Sequence, residues 1–240
     1  MNKRLLQLNL SRLRRAMMVA LLLPCAALAG GKASLVMDRA PVSAAGQSMS
    51  GKTSTATVTW RDAETVRMDF DDQSSYLLMR EGKVYSVSQS GGEAQVMDMS
   101  VMRKLMQSMG KSGTENPFGN VDSVEATGAT ETVAGIKGRA YHMNWTDGAG
   151  SRQSGNAVLT DDPLVVEMTR VYIGVMAGMV GEDMPRAFQG ALPGKNRGLL
   201  RMGDQFRVDS IRSAEPPAST FALPAKPMDM QSLMGGMGGR

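Results

Sequence analysis

A run of alternating apolar and polar residues between positions 54 and 98 restricts this chain to a β-rich fold. Ala56, Val58 and Trp60 alternate with threonines, and further along Met68 and Phe70 alternate with charged residues. Successive side chains of a strand point to opposite faces, so each segment has one apolar and one polar face. Short turn-like breaks separate the segments. The pattern therefore predicts an antiparallel meander of five strands.

The rest of the chain adds two helices and more strands to this meander. A helix is predicted over 100–109, because Met102, Leu105, Met106 and Met109 fall on one helical face. Further strands are predicted at 124–130, 139–145, 155–159, 164–171, 199–202 and 205–211, a second helix at 172–184, and a last ordered piece at 219–223. The fold class predicted is one mainly β domain over 54–224, with helices inserted between strands.

The first 29 residues have the three parts of a cleavable secretory signal. Five basic residues and no acidic one precede and flank an apolar run at 16–23, and Ala27-Leu28-Ala29 supplies a small-x-small cleavage site. The apolar run is far shorter than the roughly 20 residues that a membrane-spanning helix needs. We therefore expect cleavage between Ala29 and Gly30, and a mature protein located in the periplasm.

Removal of the signal changes the charge and the thiol content of the chain. The full chain has 27 basic and 23 acidic residues, whereas the mature chain has 22 basic and 23 acidic residues. This balance does not predict a nucleic-acid partner, which would favour a basic surface. The one cysteine, Cys25, lies in the signal, so the mature protein is expected to lack disulfides and thiolate metal sites.

Two segments flank the predicted domain. Residues 30–53 are expected to be a flexible N-terminal segment, and residues 225–240 a disordered tail rich in glycine and methionine. Gly46 to Thr53 match the phosphate-loop pattern G-x-x-x-x-G-K-[ST], but a strand-like run follows where a phosphate loop needs a helix. We expect no nucleotide binding.

Histidine and cysteine, which often carry catalysis or metal binding, are each present once in the chain. His142 is the only histidine and is expected to face solvent on a strand, and we expect neither an enzyme nor a cofactor. Methionine is abundant, with 22 residues in the chain. On the first helix it can be ordinary core, an adaptable apolar surface, or a soft ligand for Cu(I). The alternative function is therefore an envelope Cu(I)-binding protein that uses its methionine-rich segments.

The order of these elements resembles the LolA/LolB-like lipoprotein-carrier superfamily of the bacterial envelope, and within or near it a family of exported proteins. The likeness rests on the meander, on the methionine-rich helix, on the turn and strand from Glu131 to Tyr141, and on the closing Phe221-Ala222-Leu223-Pro224. No motif specific to the true carrier is found, and the tail is not part of the family's pattern.

The resemblance implies an incomplete antiparallel β-barrel, or curved sheet, whose open face is covered by helices. It also implies a hydrophobic ligand, such as an acyl chain or an apolar segment of a lipidated partner, and peripheral association with the envelope. The residues that would line the cavity are Trp60, Met68, Phe70, Tyr141, Met143 and Trp145 from the strands and Met102, Met106 and Met109 from the first helix.

Overall fold

The structure is a computed structural model that describes residues 30–39, 42–44, 47–49, 52–71, 74–108, 120–146, 151–181, 190–194 and 198–228. Its strands are β1 (Gly31–Arg39), β2 (Val42–Ala44), β3 (Gln47–Met49), β4 (Lys52–Asp62), β5 (Thr65–Phe70), β6 (Ser75–Arg80), β7 (Lys83–Ser90), β8 (Glu93–Asp98), β9 (Asn120–Val133), β10 (Ile136–Thr146), β11 (Arg152–Thr160), β12 (Gly198–Met202) and β13 (Phe206–Ser213). The helices are α1 (Met99–Ser108), α2 (Pro163–Val180) and a short 3-10 turn at Ala218–Phe221.

Eleven strands form one antiparallel sheet in the order β8-β7-β6-β5-β4-β1-β13-β12-β11-β10-β9. The sheet is open, with β8 and β9 at its two edges, and β2 and β3 form a separate hairpin. The sheet is also curled, because Glu131 on β9 makes an ion pair of 2.7 Å with Arg201 on β12 although two strands separate them. The expected mainly β fold, with helices and an open curved sheet, is confirmed.

The expectation of a flexible segment at 30–53 is wrong for its first part. Gly31–Arg39 form β1, a central strand that pairs with β4 on one side and β13 on the other. Ala33 and Leu35 point into the core, while Lys32 and Ser34 point outward, so the segment has the period-2 pattern of a strand. Its small residues make this pattern weak in the sequence, and one of its two partner strands, β13, lies near the other end of the chain.

The predicted strand at 164–171 is also wrong, because these residues form the first half of α2. The Asp162 carboxylate accepts hydrogen bonds from the backbone nitrogens of Leu164 and Val165, at 3.0 and 3.2 Å, and Pro163 occupies the first turn. An aspartate cap followed by proline is a strong helix start. The valine-rich run after it has a high strand propensity, but the cap and the tertiary packing stabilise the helix instead.

The C-terminal segment covers a second apolar cluster on the outer face of the sheet. Leu78, Tyr85, Val87 and Val96 form this cluster with Phe221, and Leu223 and Ala225 pack against it. The ordered chain continues to Met228, whose backbone nitrogen donates a hydrogen bond of 2.8 Å to the Val96 carbonyl. Residues 225–228 are therefore not part of a disordered tail, and residues 229–240 lie outside the described part of the chain.

Candidate apolar binding site

The inner face of the sheet gathers most of the predicted ligand-lining residues into one apolar cluster. Trp60, Met68, Tyr141 and Met143 are buried members of it. Phe70 and Trp145 are partly buried and pack against it. Met102 is partly buried on α1. The side chain of Met106 and the whole of Met109 lie outside what the structure describes.

Among the described residues, nine methionines contribute to this inner cluster, more than the sequence pattern indicates. Five are buried and four pack against it partly buried: Met68, Met79, Met143, Met168 and Met202, and Met37, Met99, Met176 and Met179. They come from strands in both halves of the sheet and from both helices, so no single periodic pattern in the sequence connects them. Methionine is unbranched and polarizable, and it fills irregular spaces better than branched side chains do.

The first half of α2 is held tightly against the sheet. Val165, Met168 and Val171 are fully buried. Gly198 on β12 passes so close beneath the helix that a methyl group there would lie 2.8 Å from the backbone of Val165. The Thr169 hydroxyl also accepts a hydrogen bond of 2.8 Å from the Leu199 backbone nitrogen. This half of the helix is a fixed part of the core.

The second half of α2 is less completely buried than the first half and lies beside α1. Met176 and Met179 are only partly buried there. The helices are linked by a hydrogen bond of 3.1 Å from the Arg103 guanidinium to the Gly178 carbonyl. Gly174 faces Met79 and Gly178 faces Val84, so the helix approaches β6 and β7 through glycines. Three of the partly buried methionines, Met99, Met176 and Met179, thus lie on the two helices.

Tyr172 brings a polar group into this apolar interior. Its ring lies 5.5 Å from that of Phe206, and its hydroxyl is 4.0 Å from the Met37 sulfur. Burial raises the pKa of Tyr172 to about 12. The hydroxyl therefore stays neutral, and it cannot serve as a proton acceptor near neutral pH.

Trp60 supplies a second polar group in the interior. Its side chain is 0 % exposed, and its indole ring covers Gly31. Among the described residues, the Trp60 Nε1 atom has no hydrogen-bond partner. A buried donor without a partner is uncommon in native proteins.

At the start of α1 an acidic residue caps the helix. The Asp98 carboxylate accepts hydrogen bonds from the Ser100 nitrogen at 2.9 Å and hydroxyl at 2.6 Å, and it lies 3.5 Å from the Lys83 nitrogen. Burial acts to raise the pKa of Asp98, but the hydrogen bonds from Ser100 and the charge of Lys83 outweigh it and hold the pKa below its usual value. Asp98 is thus a structural cap.

Neither a histidine-based nor a carboxylate-based metal centre is present among the described residues. His142 is exposed on β10, with its Nδ1 atom 3.2 Å from the Asn156 side-chain oxygen. Within the described ranges no three His, Cys, Asp or Glu side chains group as metal ligands. Lys52 and Thr53 begin strand β4, so the helix that a phosphate loop requires does not follow them.

Comparison with known proteins adds no further assignment. No family model, curated protein or solved structure matches this chain. Of the helices in the described residues, none combines the length and the apolar character needed to span a membrane.

Proposed function

We propose that this chain is an exported, non-enzymatic envelope protein that binds a hydrophobic ligand between the inner face of its curved sheet and its two helices. The ligand class is an acyl chain or an apolar segment of a protein partner. The observation that carries this proposal is the set of nine methionines in one inner cluster. Thioether side chains change shape at little cost, so an interior lined by them can close without ligand and open around one.

The proposed entrance lies between α1 and the second half of α2. Met99, Met176 and Met179 are partly exposed in this region, while the first half of α2 is fixed by Gly198 and Thr169. Separation of the two helices would break the hydrogen bond from Arg103 to the Gly178 carbonyl and leave the sheet intact. A hydrogen bond from a charged group contributes about 1.5–3 kcal/mol net. Opening would also cost the free energy of exposing the apolar side chains between the helices.

The proposed export fits the position of the first strand. Cleavage after Ala29 would leave every strand of the sheet in the mature chain, because β1 begins at Gly31. Gly30 is already part of the fold, since its carbonyl accepts a hydrogen bond of 3.3 Å from the Ala214 nitrogen. The cleavage would thus leave the pairing of β1 with β4 and β13 intact.

An apolar fluorescent dye tests ligand binding. We expect the delipidated protein to bind the dye and a fatty acid to displace it. Trp145→Ala should weaken dye binding severalfold with a small loss of stability, because Trp145 is only partly buried. Trp60→Ala serves for comparison. Trp60 is fully buried, so its truncation should lower the free energy of unfolding by about 3–5 kcal/mol. Failure of the folded, delipidated protein to bind dye would contradict the proposal.

A further inference from the structure

The outer face of the sheet carries a polar groove that the proposed apolar site does not use. It has a volume of about 260 Å³ and crosses three neighbouring strands, β13, β1 and β4. Its lining residues are Lys32, Ser34, Thr57, Ser210, Ile211 and Arg212. The groove lies on the opposite face from the inner cluster, because Ala33 and Leu35, which alternate with Lys32 and Ser34, are buried in that cluster.

Strand register explains why a groove forms on this face. Ser34 lies directly opposite Ser210 on β13 and opposite Thr57 on β4. A row of three short side chains therefore runs across three strands. Two residues away Lys32 lies opposite Arg212, so long side chains border the row at one end. The difference in side-chain length produces the depression.

The two cations that border the groove lack acidic partners. Lys32 and Arg212 are both exposed, and neither forms an ion pair within the part of the chain that the structure describes. Like charges directly opposite each other on neighbouring strands are destabilising. Of the nearby acids, Asp69 is bound by Arg67 at 2.7 Å, and Asp209 is exposed at the bulge of β13. This cation pair would be relieved by an anion.

The groove also offers hydroxyl donors beside the cations. Among the described residues, the side chains of Ser34, Thr57 and Ser210 make no hydrogen bond to protein groups. A tetrahedral oxyanion has several acceptor oxygens, which guanidinium, ammonium and hydroxyl groups can bind together. A carboxylate has only two acceptor oxygens for the five donor groups of this groove.

We propose that this groove binds a phosphate group, with Lys32 and Arg212 supplying charge and the three hydroxyls supplying hydrogen bonds. The site is independent of the apolar interior, so the chain has an apolar site on one face of its sheet and an anion site on the other. A phosphate group can belong to free inorganic phosphate or to a phospholipid headgroup.

Titration with inorganic phosphate, followed by backbone amide NMR shifts, tests the site. We expect saturable shifts confined to β1, β4 and β13. The double variant Lys32→Gln, Arg212→Gln should weaken binding by about tenfold or more, because two charge-assisted hydrogen bonds are lost. The control Lys137→Gln, Arg139→Gln removes the same charge from exposed positions on β10 and should bind as the native protein does. Circular dichroism confirms that both variants are folded.

Vesicles distinguish the two sources of the phosphate group. Cosedimentation with phosphatidylglycerol vesicles, but not with phosphatidylcholine vesicles, that is lost only in the groove variant would assign a lipid headgroup. Phosphate titration without vesicle binding would assign free phosphate. The proposal is overturned if neither probe binds, or if the groove variant and the β10 control lose binding equally. Dye binding to the apolar interior should be unchanged in the groove variant.

Discussion

Trp60 and Gly31 depend on each other at the centre of the sheet. The Trp60 ring lies against the Cα atom of Gly31, its neighbour across β1 and β4, and a methyl group on Gly31 would collide with that ring. A fully buried indole cannot move away without disturbing the core. The absence of a side chain at Gly31 is thus a packing requirement.

Gly31→Ala should lower the free energy of unfolding by about 1–3 kcal/mol, because the core becomes overpacked. Gly155→Ala is the matched control: Gly155 also lies under an indole, but its methyl group would be 3.4 Å from the Trp145 ring, an ordinary contact. Chemical denaturation of both variants checks this. Equal stability of the two variants would show that the Trp60 ring moves freely.

Tyr172 gives the fold a dependence on alkaline pH. Its pKa is raised by burial from 10.0 to about 12 in the folded state, so ionisation favours the unfolded chain. Its contribution to stability is complete below pH 10 and is lost as the pH rises toward 12. We expect Tyr172→Phe to lose less stability than the native protein over this range. Denaturation curves between pH 9 and pH 12 measure the difference, and identical slopes would contradict the prediction.

At the scale of elements, the two halves of α2 pack against the sheet in different ways. The first half packs against β12 through Gly198, and the second half approaches β6 and β7 through its own glycines. At Gly174 a methyl group would be 3.3 Å from the end of the Met79 side chain, which is flexible. At Gly178 it would be 2.8 Å from the Cβ atom of Val84, which is branched and rigid.

The same substitution at these two glycines should therefore have opposite effects. Gly174→Ala should leave stability unchanged or raise it by up to about 1 kcal/mol, because alanine favours the helix. Gly178→Ala should destabilise the protein by about 1–3 kcal/mol and move the end of α2 away from β7. If α2 covers the entrance, Gly178→Ala should also speed dye association. Stopped-flow fluorescence checks this, and an unchanged rate would argue against an entrance there.

Local pattern was sufficient for some elements of this fold and insufficient for others. The meander from β4 to β8 and helix α1 follow from alternation and from one helical face, since each pattern is completed within its own segment. The alternation of β1 is too weak to predict it, and one of the two strands that order it, β13, is distant in sequence. The start of α2 was missed because its valines favour a strand, although Asp162 and Pro163 carry the helix signal.

At the scale of the whole molecule, the candidate site could be predicted only in part. Four strand residues that the sequence placed on apolar faces do share one inner cluster: Trp60, Met68, Tyr141 and Met143. Met176 and Met179 were not predicted to join them, because the position of α2 across the sheet depends on contacts between distant segments. The outer groove was likewise hidden, since it needs the register of three strands.

The curved sheet and the helices together form the proposed ligand site. The central question is therefore whether the intact protein holds a ligand there. Ligand binding stabilises the folded state and should persist through gentle purification when dissociation is slow. Both effects favour detection of a bound ligand in protein purified from its native compartment.

Native mass spectrometry of the protein purified from the envelope of its own cells tests this account most directly. We predict a mature chain that begins at Gly30 and carries a bound mass in the range of a lipid, released as a free species by organic solvent. The stripped protein should then regain dye binding. A folded chain that carries no bound mass, and that takes up neither dye nor fatty acid, would contradict the account.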